Sequence, residues 1–417
     1  MKILICFDRK DESKEALDAI RTGFPKHVGH KVRHEKELKS DLEAFFAGVK
    51  NTLEGKKAPK SAFDGYDLIF LDNNLTHLDI KGARLTGEGV AGYLRAFTNT
   101  PYIVSVNKNP DLDFDLQCLV GDASSRADLA INTHHLKNRA LWTGRVEDAQ
   151  DGFRPWYWPA LNLEPDRRRK QIKFIYSRLK KPILSSLGFD KLSVLALSRT
   201  AKGVLSPEGR QPGSDGTSDP MTKYTFEDFF GSSSRSVPAE DDRETIQKTK
   251  NTLAISRVVA SDLDMWFRRD VLAPQDVIVD VPHLLVRMPF LLGKRASSVK
   301  AWNTAIQKVV PPFALDKAIY KRHLSKARCH LDLWVRSPSF WGTALKDNEK
   351  LNQLFFRAEK DKWVDCVFCE DTSAFVLRGG AASVPREFVA NFESPWDRRY
   401  VRHLSGKRYV PRSRMAL

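Results

Sequence analysis

At 417 residues the chain exceeds what one ordinary hydrophobic core supports, and about two or three domains are expected. Its 41% hydrophobic and 29% charged residues are those of a folding, globular protein rather than a disordered one. The formal charge of +16 is uneven: residues 1–142 carry 21 Lys/Arg against 20 Asp/Glu and residues 143–417 carry 47 against 32, so a polyanionic partner is expected to meet the downstream part.

The N-terminus KILICF (2–7) is a continuous apolar run ending on Asp8, as in a strand buried on both faces. It turns charged too soon for a secretory leader, and no apolar run approaches a membrane span. Five scattered cysteines build no disulfide framework, so a reducing, cytoplasmic setting without membrane contact is expected. Ser13–Ile20 predicts a helix that Ser13 caps, Lys31–His34 a weak strand, and Leu38–Leu53 a helix with an apolar stripe. YDLIFLDNN (66–74) is another buried-strand pattern, ending on Asp72. A loop NNLTHLDIKGARL, a helix through Val90–Phe97, strands PYIVSV (101–106) and LQCLV (116–120), and a helix from about Ser125 to Trp142 complete the region. This alternation predicts a parallel sheet covered on both faces, with ligands at the carboxyl ends of its strands. Asp8 and Asp72 sit at such ends. A bare structural role for Asp72, closing a strand or turn, stays open beside a chemical one.

In its order of elements, and in the pieces ILICFD, YDLIFLDNNL and PYIVSV, this third of the chain resembles the receiver domain of two-component response regulators. The resemblance implies a flavodoxin-like, doubly wound parallel sheet and a signalling role in company with a histidine kinase or another signalling protein. It implies Asp72 as phosphoacceptor, Ser105 as the hydroxyl closing the fourth strand, and Mg2+ held by Asp8, Asp72 and the main chain of Asn74. Phe7 stands where receivers place the first acid of a pair, and Gly121 and Asp122 stand where their lysine follows the fifth strand. Lys108, just past the fourth strand, is the candidate replacement cation. A receiver that has lost phosphotransfer but kept its shape is the other form of this reading.

Residues 143–202 read as an aromatic connector and a basic helix. Within 167–181 lie eight Lys/Arg and no acid, with Ile172, Ile175, Tyr176 and Leu179 as an apolar stripe. The basic face suits DNA or RNA phosphates, and equally a solvated surface. Residues 203–242 are a Gly/Pro/Ser-rich loop segment enclosing YTFEDFF, a candidate docking motif. Residues 243–417 are expected to be a mixed α+β, helix-rich effector domain. Its predicted helices are 243–271 and 317–335, its candidate strands 276–286 and 362–369. Cys366 and Cys369 fit a strand better than zinc, with only Cys329 and His330 nearby in sequence. Asp276, Asp280, Glu370 and Asp371 leave a metal-dependent nuclease or hydrolase open. The tail 396–414 mixes basic residues with Trp396, Tyr400 and Tyr409, a second candidate nucleic-acid surface. Trp142, Trp156, Tyr157 and Trp158 are expected between the domains. The whole reads as a bacterial-type regulator with a basic effector region, its own enzymatic activity left open.

Overall fold

A computed structural model of the chain describes residues 1–10, 13–23, 28–57, 59–80, 83–108, 126–136, 139–143, 160–189, 197, 199–205, 223–232, 240–271, 277–278, 285, 292, 297–306, 333–334, 340–341, 363–369, 374–377 and 400–402. It divides into two compact units. The first comprises Met1–Gly144, Pro159–Ser186 and Lys202–Met265; the second comprises Arg145–Trp158, Leu187–Ala201 and Trp266–Leu417.

The first unit opens with β1 (Lys2–Phe7), α1 (Lys14–Gly23), β2 (Gly29–His34), α2 (Glu35–Leu53) and β3 (Leu68–Asp72). It continues through β4 (Asn74–Ile80), β5 (Ala83–Thr86), α3 (Gly87–Phe97), β6 (Tyr102–Asn107), β7 (Leu129–Asn132), α4 (Thr133–Leu136) and α5 (Ala140–Thr143). Five of these strands form one parallel sheet in the order β2-β1-β3-β6-β7, compatible with a flavodoxin-like fold. The apolar runs of β1 and β3 follow from that position, because a central parallel strand has both faces covered. Leu4, Cys6, Ile69, Leu71 and Ile103 join Leu38, Leu42, Phe45 and Val49 of α2 and Val90, Ala91 and Leu94 of α3 in one core. Phe70, out of step with them, packs on Trp142 with ring centroids 5.5 Å apart.

Several expectations are corrected. Ser13 does not cap α1: its hydroxyl donates to the Lys10 carbonyl at 3.0 Å. The stretch after Asp72 is an antiparallel hairpin, β4–β5, whose Leu75, Leu78 and Ile80 are buried in the same core. The fifth parallel strand is Leu129–Asn132, inside the span expected as helix, because Val104–Asn107 pairs with it residue by residue. LQCLV lies outside the described residues. Trp142 is wholly buried inside the first unit, and Trp156, Tyr157 and Trp158 are outside the described residues.

Downstream come α6 (Glu164–Tyr176), α7 (Ile183–Ser186), α8 (Arg199–Val204), α9 (Phe226–Ser232), α10 (Glu240–Lys248) and α11 (Thr252–Trp266). YTFEDFF is a core element, since Phe226, Phe229 and Phe230 are buried. A reciprocal cap starts α9: Thr225 N–H donates to Asp228 Oδ2 at 2.9 Å and Asp228 N–H to Thr225 Oγ1 at 3.1 Å. The helix expected over 243–271 is broken, because Lys250 takes a left-handed φ of 52° and Asn251 Oδ1 accepts the Ala254 N–H at 3.1 Å, starting α11 afresh. A π-helical turn follows at Phe267–Val271.

In the second unit β8 (Val277–Ile278) pairs with β9 (Phe340–Trp341), and β10 (Cys366–Cys369) is the centre of an antiparallel sheet between β11 (Ala374–Leu377) and β12 (Tyr400–Arg402). CVFC is therefore a strand, as its alternation suggests. On α12 (Val299–Ile306), the Asn303 amide accepts from Phe375 N–H at 2.7 Å and donates to Phe375 carbonyl at 2.8 Å, fixing helix to strand. Of the expected helix 317–335 only Leu333 and Trp334 are described, and of the tail 396–414 only β12. Asp276, Asp280, Glu370, Asp371, Cys329 and His330 lie outside the described residues.

Candidate functional site

Strand direction alone brings three sequence-predicted residues together. β1, β3 and β6 are parallel neighbours, so Asp8, Asp72 and Lys108 lie at one edge of the sheet. The chain leaves β1 for β2 on one side and returns as β3 on the other, so the two aspartates flank the topological switch point, where α/β sheets bind ligands. Lys108 Nζ lies 2.6 Å from Asp8 Oδ1 and 2.7 Å from Asp72 Oδ2. The three side chains are only 1%, 1% and 4% exposed for Asp8, Asp72 and Lys108. Asp72 Oδ1 also accepts the Asn74 N–H at 3.1 Å.

One ammonium faces two carboxylates away from water. Burial pushes the Asp72 carboxyl up to about 7 against the opposing pull of Lys108, and the neighbouring Asp8 adds to the rise. Burial pulls the Lys108 ammonium down, but the charges and hydrogen bonds of Asp72 and Asp8 outweigh it and hold its pKa above the ordinary lysine value. The lysine is therefore a fixed cation at neutral pH, while Asp72 is easily protonated.

Ser105 is buried on β6 in register with Leu71, and its hydroxyl reaches Asn73 Oδ1 at 3.5 Å rather than Asp72. Magnesium requires oxygen ligands and no competing positive charge between them. Asp8 and Asp72 supply oxygens, but Lys108 already bridges them at hydrogen-bond distance, so this donor set as arranged fits an ammonium and not Mg2+. Among the described residues no group of three or more His, Cys, Asp or Glu is placed to hold a metal.

Two supporting features escaped sequence reasoning. Gly87 opens α3 against the site: its N–H donates to Asn73 carbonyl at 2.9 Å, and a Cβ there would stand 2.2 Å from Asp72 carbonyl oxygen. The only sequence signal is a glycine at a helix start, which is common. On the hairpin, His77 Nδ1 lies 3.1 Å from Arg9, tying β4 to the residue that follows Asp8.

A second buried polar cluster surrounds Asp128, which precedes β7. Asp128 accepts from Ile103 N–H at 2.8 Å, from Arg168 at 2.9 Å and from Ser261 Oγ at 2.9 Å, with Arg95 Nη2 at 3.1 Å. Burial disfavours its anion, but Arg95 and Arg168 outweigh burial and hold its pKa below the usual carboxylate value. Arg168, read from sequence as part of a basic face, is thus internal, and Arg167 lies 3.6 Å from Glu164 and 3.9 Å from Asp264. Arg169 is paired with Asp67 and Asp166. The stripe beside them is buried at Ile175 but not at Tyr176.

The fold and site define an α/β protein with a carboxylate–lysine–carboxylate triad at the switch point of a five-stranded parallel sheet. Comparison of the chain with family models, with curated proteins and with solved structures found no match. Among the described residues no helix is long and apolar enough to cross a membrane.

Proposed function

We propose that the N-terminal sheet is a receiver-like regulatory module of the pseudo-receiver kind, in which Lys108 keeps the Asp8–Asp72 site closed and the module acts on the downstream chain through contacts. The observation that carries this reading is the Lys108 ammonium within 2.6 and 2.7 Å of the two carboxylates. A carboxylate attacks phosphorus only when it is ionised, reachable and faced by a cation able to take the incoming charge. Burial disfavours the Asp72 anion, its side chain is 1% exposed, and Lys108 is already shared with Asp8. Action on the downstream chain is supported by Asp128, which joins the sheet to Arg168 of α6 and Ser261 of α11.

The test is incubation of the full chain with a small phosphodonor and magnesium, read by intact mass. No phosphoryl group is expected on the wild type. An adduct that Asp72→Asn abolishes would overturn this reading in favour of an active receiver served by a histidine kinase. The regulatory half is read separately, by protease cutting within residues 143–242. Asp72→Asn is expected to change that pattern, and an unchanged pattern would leave the module without influence on the rest.

A further inference from the structure

We propose that the outer face of α6 and the turn that follows it bind single-stranded nucleic acid. The segment 167–181 holds eight Lys/Arg and no acid, and the fold sorts them. Arg167 and Arg168 are turned inward onto Glu164, Asp128 and Asp264. Lys170, Lys173, Lys180 and Lys181 are exposed. None of these four has a carboxylate partner among the described residues, and what distinguishes them is that they crowd into one short segment with no acid in it. Clustered like charges on a helix repel and are destabilising. A segment that keeps four without local compensation suits an external polyanion.

An aromatic ring decides the kind of polyanion. Tyr176 is 54% exposed although its size and apolar body favour burial. It lies three residues after Lys173, so ring and cation are neighbours on α6, and the turn that carries Lys180 and Lys181 follows directly. Between Lys170 and Tyr176 the helix rises by about 9 Å, a reach of one or two nucleotides, and Lys180 and Lys181 extend the track. Lysines alone would take any phosphate backbone, but an exposed ring among them offers a stacking surface to an unpaired base. A duplex keeps its base faces covered.

Fluorescence anisotropy of the full chain with a labelled oligothymidine, and with a duplex of equal length, tests this. Single-strand binding at low salt is expected to exceed duplex binding and to weaken with salt at a log–log slope of about −3, from four phosphate contacts. Replacing Lys170, Lys173, Lys180 and Lys181 together by Gln should cost at least roughly tenfold in affinity and remove most of that slope. Tyr176→Ala should cost roughly fivefold or more and leave the slope unchanged, separating stacking from charge. All five side chains are exposed, so both variants should melt as the wild type does. No binding at low salt, an unaltered affinity in the lysine variant, or duplex binding as tight and indifferent to Tyr176→Ala would each overturn the proposal.

Discussion

Lys108 shares one positive charge between two buried carboxylates, and the excess negative charge is the defining property of the site. Because the folded-state pKa of Asp72 is raised to about 7, the native protein holds a proton that the unfolded chain has lost between about pH 4 and pH 7. Stability contributed by this group is therefore full at low pH, falls as pH rises through that window and levels off above it. The expected loss is on the order of a few kcal/mol. Asp72→Asn leaves Lys108 one-to-one with Asp8. It is expected to flatten this dependence and to make the protein more stable than wild type at pH 8, measured by urea unfolding at pH 5 and pH 8. A variant less stable than wild type at both values would contradict the charge argument. Gly87→Ala belongs to the same scale, because a Cβ 2.2 Å from Asp72 carbonyl oxygen meets backbone that cannot rotate away. A loss of about 1–3 kcal/mol is expected, and an unchanged melting temperature would show that α3 can shift at no cost.

Among the elements, β6 and β7 show what the sequence reveals and what it hides. Strand β6 was legible from PYIVSV, and with β1 and β3 it fixes the edge where Asp8, Asp72 and Lys108 meet. The place of Lys108 beside the two aspartates was open to inference only because the lysine expected after the fifth strand is missing. Strand β7 was not legible: LAIN has four residues of pairing and reads equally as one turn of helix, so only its ladder with Val104–Asn107 decides. The β4–β5 hairpin was hidden for a related reason, since a register irregularity between Leu75 and Ile80 breaks the two-residue period. Asp128 and Arg168 are 40 residues apart, and nothing local announces their pairing. Removing Arg168 leaves buried Asp128 with Arg95 as its remaining guanidinium partner and takes a cation away from Asp264. Arg168→Met is therefore expected to cost about 3–5 kcal/mol, and the double variant Arg168→Met, Asp128→Leu less than the two single losses combined. Additive losses in that cycle would show that the two residues act independently.

At the scale of the whole molecule, side-chain contacts of the sheet cross residue 142, where the receiver-like alternation ends in the sequence. Asp128 depends on Arg168 of α6 and Ser261 of α11, and Tyr93 on α3 donates to Asp242 of α10 at 2.8 Å. A fragment ending at residue 142 is expected to lack a cooperative thermal transition, whereas one ending at 265 should show it. Cooperative melting of the shorter fragment would mean that the downstream helices are dispensable to the sheet.

The measurement that tests the closed site most directly is a magnesium titration of thermal stability, run in parallel on wild type and Lys108→Gln. A ligand that binds only the native state stabilises it by an amount that grows with the logarithm of free ligand concentration above its Kd, and the melting temperature rises with it. With Lys108 holding Asp8 and Asp72, the wild-type transition should not move as magnesium is added. Lys108→Gln should melt lower without magnesium and recover as magnesium takes the place of the ammonium between the two carboxylates. A wild-type protein that magnesium stabilises, with the effect abolished by Asp72→Asn, would contradict the account.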